Sequence, residues 1–275
     1  MYKDHWKLSA RPFENRIDSQ YYYPAETHQA ALLKLHYAIE NRRSAVMLCG
    51  PGGIGKTLLV DAIQRQMGEE FRPVCNIVFP TMTSDQLVRY VVEHLDPSGS
   101  SVRETSADLG RFEKFLLANL EAKRHAVIVI DEAHLLEQNE LLEPLRLMLN
   151  IGAAQSEGES AWTLVLVGQP MLLSQVERYH ALDERMAVKC MLNRLSVDET
   201  NSYIQHRLRV AGVDIDEVFE AAALERIHIL TEGIPRRINR LCDLALMVGY
   251  AEDRSLLSVD VINSVHGDLA APVLS

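Results

Sequence analysis

Short apolar runs alternate with amphipathic stretches through the first two thirds of the chain. The runs at 44–50, 74–79, 126–132 and 163–169 have the length of strands and are flanked by polar residues. Continuous apolar runs of this kind are typical of strands that are buried on both faces of a parallel sheet. The stretches between them repeat apolar residues every three or four positions, which predicts helices. The pattern therefore predicts an α/β fold, a parallel sheet flanked by helices.

The helices of this region follow from the same periodicity. A cap at Thr83 or Ser84 is expected for one of them, and another is expected to be helical only after Pro144. The predicted helices cover 26–43, 57–67, 83–95, about 107–122 and 141–152.

After about residue 195 the strand pattern stops and only helical periodicity remains. Ser196 and Glu199 have the spacing of a capping box, and Gly212 is expected to end the helix that follows. Further helices are predicted over 216–230, 235–250 and 259–269. The expected organisation is an irregular N-terminal arm at 1–27, an α/β domain at 28–194 and a small helical lid domain at 195–270.

The segment GPGGIGKT, residues 50–57, fits the pattern G-x-x-x-x-G-K-[ST] between a predicted strand and a predicted helix. Its glycines let the loop amides point inward as a nest for anions, and the following helix adds its positive dipole end. Lys56 then reaches the β- and γ-phosphates, and the Thr57 hydroxyl ligates Mg²⁺. The pattern predicts a P-loop NTPase that binds ATP. The residues expected at the nucleotide are Gly50, Pro51, Gly52, Gly53, Ile54, Gly55, Lys56, Thr57, Leu58 and Asp131.

Two acids end the apolar run 126–132. We expect Asp131 to hold Mg²⁺ through water and Glu132 to act as the general base that activates the attacking water. Taken alone, the pair would be a helix N-cap and a solvated glutamate; beside a phosphate loop it indicates ATP hydrolysis. His134 is interpreted as a packed or solvated residue at a helix start, without a catalytic role.

Three further polar residues are candidates for sensing the nucleotide. Gln169, which ends the run 163–169, is either a sensor of the γ-phosphate or part of the turn that follows the strand. Arg185 is a candidate arginine finger that reaches a neighbouring subunit's γ-phosphate, with a surface salt bridge as the alternative and Arg178 as its rival. Arg236 follows Pro235 at a predicted helix start, from which it would couple ATP to lid closure.

Composition narrows the function. The 28 basic and 38 acidic residues give a net charge of −10, which argues against a surface that binds phosphate backbone throughout. The four cysteines lack zinc spacing and are expected to be buried thiols in a reducing compartment. No apolar run approaches the length of a membrane span, and the N-terminus lacks the apolar region of a secretory signal. A cytoplasmic protein is expected.

The motifs, taken in order, resemble those of AAA+ ATPases. The blocks "PFEN", "YYYPAETHQAALLKLHYAI", "LVGQP", "LDERM" and "EGIPRRINRLCDLAL" are similar to those of the general secretion pathway ATPases of the ExeA/GspA type, over about residues 1–265. Transposition ATPases of the TnsC/TniB type share much of this pattern. The resemblance implies Gln169 as sensor 1, Arg185 as finger and Arg236 as sensor 2. It also implies ATP and Mg²⁺ as cofactors.

Three functions remain open at this point. One is an ATPase that couples nucleotide state to assembly of an envelope secretion, pilus or exopolysaccharide system. It would form a nucleotide-dependent homo-oligomer with protein partners that are either soluble or membrane-bound, and it would be cytoplasmic, either free or peripheral to the inner membrane through a partner. The second is a DNA-associated ATPase that regulates transposition, and the third is an ATP-gated switch with negligible turnover. The loops 97–106 and 152–160, expected near the channel of a ring, are not rich in basic residues, which favours the first.

Overall fold

The structure is a computed structural model, and it describes residues 2–15, 19–78, 80–97, 105–152 and 160–270. The chain forms two compact units. An α/β unit contains Thr27–Gly52 and Lys56–Leu192; a helical unit contains Met1–Glu26, Gly53–Gly55 and Asn193–Ser275. Most of the two loops expected near a channel, 98–104 and 153–159, lies outside the described residues.

The described elements are twelve α-helices, two of them single turns, four short 3-10 helices and five strands. The strands are β1 (Ala45–Cys49), β2 (Val74–Ile77), β3 (Ala126–Ile130), β4 (Trp162–Gly168) and β5 (Met186–Met191). The helices are α1 (Tyr2–His5), α2 (Glu26–Glu40), α3 (Lys56–Gln66), α4 (Ser84–Leu95), α5 (Thr105–Glu121), α6 (Leu142–Met148), α7 (Met171–Arg178), α8 (His180–Asp183), α9 (Val197–Val210), α10 (Ala221–Thr231), α11 (Pro235–Ala251) and α12 (Val259–Ala270).

The five strands form one parallel sheet in the order β2-β3-β4-β1-β5. Every residue of β1, β3 and β4 is buried, which explains the continuous apolar runs of these three central strands. The predicted parallel sheet with flanking helices is confirmed. Because β1 lies beside β4 rather than β2, the sheet has a switch of strand order, and ligands of open α/β sheets bind at the carboxyl ends of the strands beside such a switch.

The edge strand β5 was not predicted from the sequence. This edge strand has one exposed side, so its buried and exposed positions alternate and include Lys189, and no apolar run marks it. The predicted start of α6, after Pro144, was also wrong. The helix begins at Leu142, before Pro144, because a proline in the first turn lacks only an N–H group that has no partner within the helix.

The helical unit packs α9, α10, α11 and α12 around its own apolar core. The expected capping box forms, since the Ser196 hydroxyl accepts from the Glu199 N–H and the Glu199 carboxylate accepts from the Ser196 N–H. Gly212, with φ of +90°, follows the end of α9. The helix expected from residue 216 instead starts at Ala221, after a 3-10 turn at Ile215–Glu217.

Residues 2–15 and 19–26 contain little regular structure, as the sequence suggested, but several of them are packed into the helical unit. Trp6, Leu8, Phe13 and Ala25 lie in the core of the helical unit, and the Trp6 indole N–H donates to the Leu246 carbonyl oxygen at 2.9 Å. The sequence did not predict this packing, in which the burial of aromatic side chains against helices supplies the packing energy. No described helix is both long enough and apolar enough to cross a membrane.

Candidate nucleotide site

The loop between β1 and α3 has the backbone that its glycines predicted. Gly53 and Gly55 have φ of +79° and +112°, in the region that side chains disfavour. The Gly50 N–H donates to the Gly168 carbonyl oxygen at 3.1 Å, which ties the start of the loop to the end of β4. The strand, loop and helix thus occur in the order that a phosphate-binding loop requires.

Lys56 begins α3 and turns its side chain back toward the loop. Its Nζ atom donates to the carbonyl oxygens of Gly50 at 2.9 Å and Pro51 at 3.1 Å, and only 7% of the residue is exposed. Burial of an ammonium group is costly unless polar partners surround it. The loop therefore keeps a positive charge in place at the helix N-terminus, a setting suited to a phosphate.

Thr57 and Asp131 meet although 74 residues separate them in the chain. The Thr57 hydroxyl donates to Asp131 Oδ2 at 2.9 Å, at the carboxyl end of β3. A hydroxyl and a carboxylate are oxygen ligands of the kind that Mg²⁺ prefers, so this pair fits the ion. In the described part of the chain, no cluster of three or more His, Cys, Asp or Glu side chains could hold a metal by itself. The remaining ligands of Mg²⁺ would therefore come from nucleotide and water.

Glu132 has an unusual backbone. Its φ of 50° and ψ of 34° lie in the left-handed region, which costs a residue with a side chain about 1 kcal/mol. Its N–H donates to Asp131 Oδ1 at 2.8 Å, so both oxygens of Asp131 accept hydrogen bonds. The left-handed turn fixes the two acids relative to each other, and Glu132 keeps 46% of its side chain exposed.

His134, to which we gave no role, is part of this arrangement. Its Nδ1 atom lies 3.3 Å from Glu132 Oε2 and 3.5 Å from the backbone nitrogen of Gln169. The residue is buried, and its carbonyl oxygen accepts from Gln175 Nε2 at 3.0 Å. The sequence carried no signal for these contacts beyond the nearness of His134 to Glu132, because they depend on the left-handed turn at Glu132.

Gln169 directly follows Gly168, the last residue of β4, and it is exposed. Its backbone N–H lies 3.5 Å from His134 Nδ1, which in turn contacts Glu132. Its expected role as a sensor stays a prediction.

Arg185 and Arg178, the two candidate fingers, have different surroundings. Arg178 forms an ion pair with Glu137 at 2.6 Å, and this hydrogen-bonded guanidinium lowers the pKa of Glu137. Arg185 precedes β5 and donates to the Leu149 carbonyl oxygen at 3.2 Å and to the Asn150 side chain, both at the end of α6. Among the described residues, no carboxylate lies within ion-pair distance of Arg185.

Arg236 is the second residue of α11, and its side chain is exposed. Within the helical unit, which includes Gly53–Gly55, its backbone N–H donates to the Gly53 carbonyl oxygen at 3.2 Å. A Cβ atom added at Gly53 would lie 2.7 Å from Arg236 Cβ, so a side chain is excluded there. Neighbouring Arg237 pairs with Glu232 at 3.4 Å inside the same unit.

Known sequences that match this chain include a family model and a curated relative. Residues 39–176 match the family model described as the AAA domain. Over 273 residues, 98% of this chain, the sequence is 30% identical to General secretion pathway protein A of Aeromonas hydrophila. The chain spans 47% of the length of that relative.

Solved structures show the same fold. The Aeropyrum pernix ORC2 protein, in its ADPNP–ADP complexes, matches with a TM-score of 0.67 at 17% identity, over 97% of this chain and 73% of that one. The Holliday junction branch migration motor RuvB of Thermotoga maritima matches with a TM-score of 0.58 at 22% identity, over 89% and 69%. At these identities the likeness concerns the fold alone.

The resemblance to AAA+ ATPases that the motifs suggested is thereby confirmed, as is the resemblance to the general secretion pathway protein. The matched segment 39–176 includes β1, the phosphate loop, β3 with its two acids, and β4. The protein belongs to the AAA domain family.

Proposed function

We propose that this protein binds ATP with Mg²⁺ and hydrolyses it, and that its nucleotide state controls assembly with protein partners of an envelope secretion system. The observation that carries the ATPase proposal is the hydrogen bond between Thr57 and Asp131. It joins the phosphate loop to the acids at the end of β3, so that one triphosphate can contact both. Membership of the AAA domain family supports nucleotide binding.

The phosphates would bind to loop amides at the start of α3, beside the Lys56 ammonium group. Asp131 and Thr57 would hold Mg²⁺, and the chemistry that this ion supplies is neutralisation of charge on the phosphate oxygens. The loop carbonyls that now accept from Lys56 keep its ammonium group in place before nucleotide arrives.

Hydrolysis also requires a general base close to Asp131, the residue proposed to hold Mg²⁺. Glu132 takes a proton from a water molecule whose oxygen attacks the γ-phosphorus. The bond from that phosphorus to the bridging oxygen breaks, which yields ADP and inorganic phosphate, and Glu132 returns its proton to solvent. The partial exposure of the Glu132 side chain supports this role, because the water must reach it.

Arg185 is the better of the two candidates for a finger. Its partners are uncharged, whereas the charge of Arg178 is compensated by Glu137. An uncompensated guanidinium is suited to a neighbouring copy's γ-phosphate. Mixing Arg185→Ala with Lys56→Ala protein should restore part of the turnover that each lacks alone, whereas Arg178→Ala should keep wild-type turnover. If the mixture does not recover activity, the active site is not completed by Arg185 of a neighbouring subunit.

The partner class rests on similarity to General secretion pathway protein A along 98% of this chain. Since that relative is about twice as long, the role of the whole relative is carried over only as a proposal. Cytoplasmic location, peripheral to the inner membrane through a partner, belongs to the same proposal.

The first experiment compares ATP binding and phosphate release for wild type and Glu132→Gln. We expect Glu132→Gln to bind ATP with wild-type affinity and to hydrolyse it at least 100-fold more slowly. Wild-type rates from Glu132→Gln would reject Glu132 as base. ATP binding with no measurable turnover by the wild type would indicate a nucleotide-gated switch instead.

The second experiment uses the ATP-bound Glu132→Gln protein to capture partners. Co-purified secretion or envelope components would support the proposed role. Transposase, or DNA whose binding falls steeply with salt, would instead support a function in transposition.

A further inference from the structure

His134 lies between the proposed base and the end of β4. Its Nδ1 atom is 3.3 Å from Glu132 Oε2 and 3.5 Å from the Gln169 backbone nitrogen. With 7% of the residue exposed, water has little access to replace either contact. The ring therefore contacts both the residue proposed to activate water and the strand end beside the phosphate loop.

These two contacts make opposite demands on one nitrogen atom. An imidazole nitrogen accepts a hydrogen bond only when it carries no proton and donates only when it carries one. Nδ1 can therefore accept from the Gln169 N–H or donate to the Glu132 carboxylate, but it cannot do both at once. The two contacts exclude each other.

The backbone of His134 is held in place on two sides. Gln175 Nε2 donates to the His134 carbonyl oxygen at 3.0 Å. Gly168 approaches so closely that a Cβ atom added there would lie 3.1 Å from the His134 backbone nitrogen. With its backbone held and its side chain buried, His134 keeps Nδ1 within reach of both partners, and the position of the Nδ1 proton decides which contact is favourable.

We propose that His134 is a positioning residue for ATP hydrolysis. With a proton on Nδ1, it donates to Glu132 Oε2 and orients the carboxylate that takes the proton from water. When Nδ1 instead accepts from the Gln169 N–H, Glu132 is released. This inference rests on the proposed function, because it requires Glu132 to be the base.

The test compares His134→Asn with His134→Leu. Asparagine and leucine have nearly the same shape, but only asparagine places a hydrogen-bonding atom two bonds from Cβ, where Nδ1 stands in histidine. We expect His134→Leu to lower kcat at least 10-fold with KM for ATP within 2-fold of wild type, and His134→Asn to keep at least a third of wild-type kcat. The matched control is His94→Leu, an exposed residue on α4, which should keep wild-type kcat.

A second measurement separates positioning from a general structural role. In the Glu132→Gln background, His134→Leu should cause no further loss, because it acts through Glu132. Wild-type or faster turnover by His134→Leu would overturn the proposal, as would equal losses for asparagine and leucine, or additive losses in the double variant.

If His134→Leu does not fold, His134→Gln replaces it. Glutamine keeps an amide but moves it one bond outward, so it should lose kcat where asparagine does not, and equal rates for these two variants would overturn the proposal. The same assay on wild type and Glu132→Gln tests the proposed function separately. Absence of wild-type turnover would reject both, whereas an active wild type with an inactive Glu132→Gln and a fully active His134→Leu would reject only the role of His134.

Discussion

In the α/β unit, the polar side chains at the carboxyl edge of the sheet are those that we propose for nucleotide binding. In the helical unit, buried polar side chains form hydrogen bonds to other parts of the chain. Lys56 and Asp131 belong to the first group. In the second, buried Arg207 donates to the Tyr203 hydroxyl at 2.6 Å and to the Glu14 carbonyl oxygen at 2.9 Å, and Asn239 donates to Asn15 Oδ1 at 2.9 Å.

This difference indicates which measurement each group should affect. Polar groups arranged for a ligand contribute mainly to affinity, and their removal should change the free energy of unfolding little. Polar groups that hold residues 2–26 against the helices contribute to that free energy directly. The four predictions below test this division, from the largest expected effect to the smallest.

Trp6→Ala should lower the free energy of unfolding of the helical unit by about 3–5 kcal/mol. The indole is 5% exposed, packs against Gly249 and donates to the Leu246 carbonyl oxygen. Denaturant unfolding measures the change. The control Tyr37→Ala, an aromatic residue that is 58% exposed, should change the free energy by less than about 0.5 kcal/mol. Equal effects would show that residues 2–26 do not stabilise this unit.

Lys56→Ala should weaken ATP binding at least 100-fold, about 2.7 kcal/mol. The free energy of unfolding without nucleotide should change by less than about 1 kcal/mol, because the cost of burying the ammonium group is removed together with its two hydrogen bonds. Calorimetric titration and denaturant unfolding give the two numbers. A large loss of stability with unchanged affinity would show that Lys56 stabilises the fold and does not serve nucleotide binding.

The α/β unit also contains buried polar groups away from the proposed site, and His125 is one of them. Burial, with a smaller contribution from the charge of Arg42, lowers its pKa to about 3, and its Nε2 atom is 2.8 Å from Thr163 Oγ1. Between the ordinary pKa of about 6.5 and this value, the unfolded chain binds a proton that the folded chain does not. The free energy of unfolding should therefore fall by about 2 kcal/mol from pH 6.5 to 5.

The measurement for His125 is the difference between wild type and His125→Asn across this pH range. The free energy of unfolding of the variant should depend less steeply on pH, by the contribution of about one proton. Parallel curves for the two proteins would show that His125 is protonated in the folded state.

Tyr2→Phe should cost the helical unit about 1 kcal/mol, the loss of a single hydrogen bond. The Tyr2 hydroxyl donates to Asp243 Oδ1 at 2.8 Å, and burial together with this contact raises the pKa of the tyrosine. Denaturant unfolding compares it with Tyr37→Phe, which should have no measurable effect. Identical stabilities of the two variants would show that this hydrogen bond does not stabilise the helical unit.

The sequence predicted those parts of the molecule in which local pattern and burial agree. β1, β3 and β4 are buried on both faces, so their apolar runs identified them, and the glycine pattern at 50–57 identified the loop. Because parallel strands end at a common edge, the loop and Asp131 could be expected to meet.

The rest depends on contacts that local pattern does not encode. β5 alternates because it is an edge strand, so no apolar run marked it. The burial of Trp6 depends on helices near the other end of the chain, and the contact of His134 with Glu132 depends on one left-handed residue. None of these features could be predicted from local sequence, because each depends on tertiary contacts.

The placement of Trp6 has a consequence for synthesis. The indole of Trp6 contacts a carbonyl 240 positions later, on α11, so the ribosome must synthesise the chain through α11 before that contact can form. Folding during translation proceeds from the N-terminus. The α/β unit can therefore assemble while the Trp6 side chain stays uncovered until α11 has left the exit tunnel.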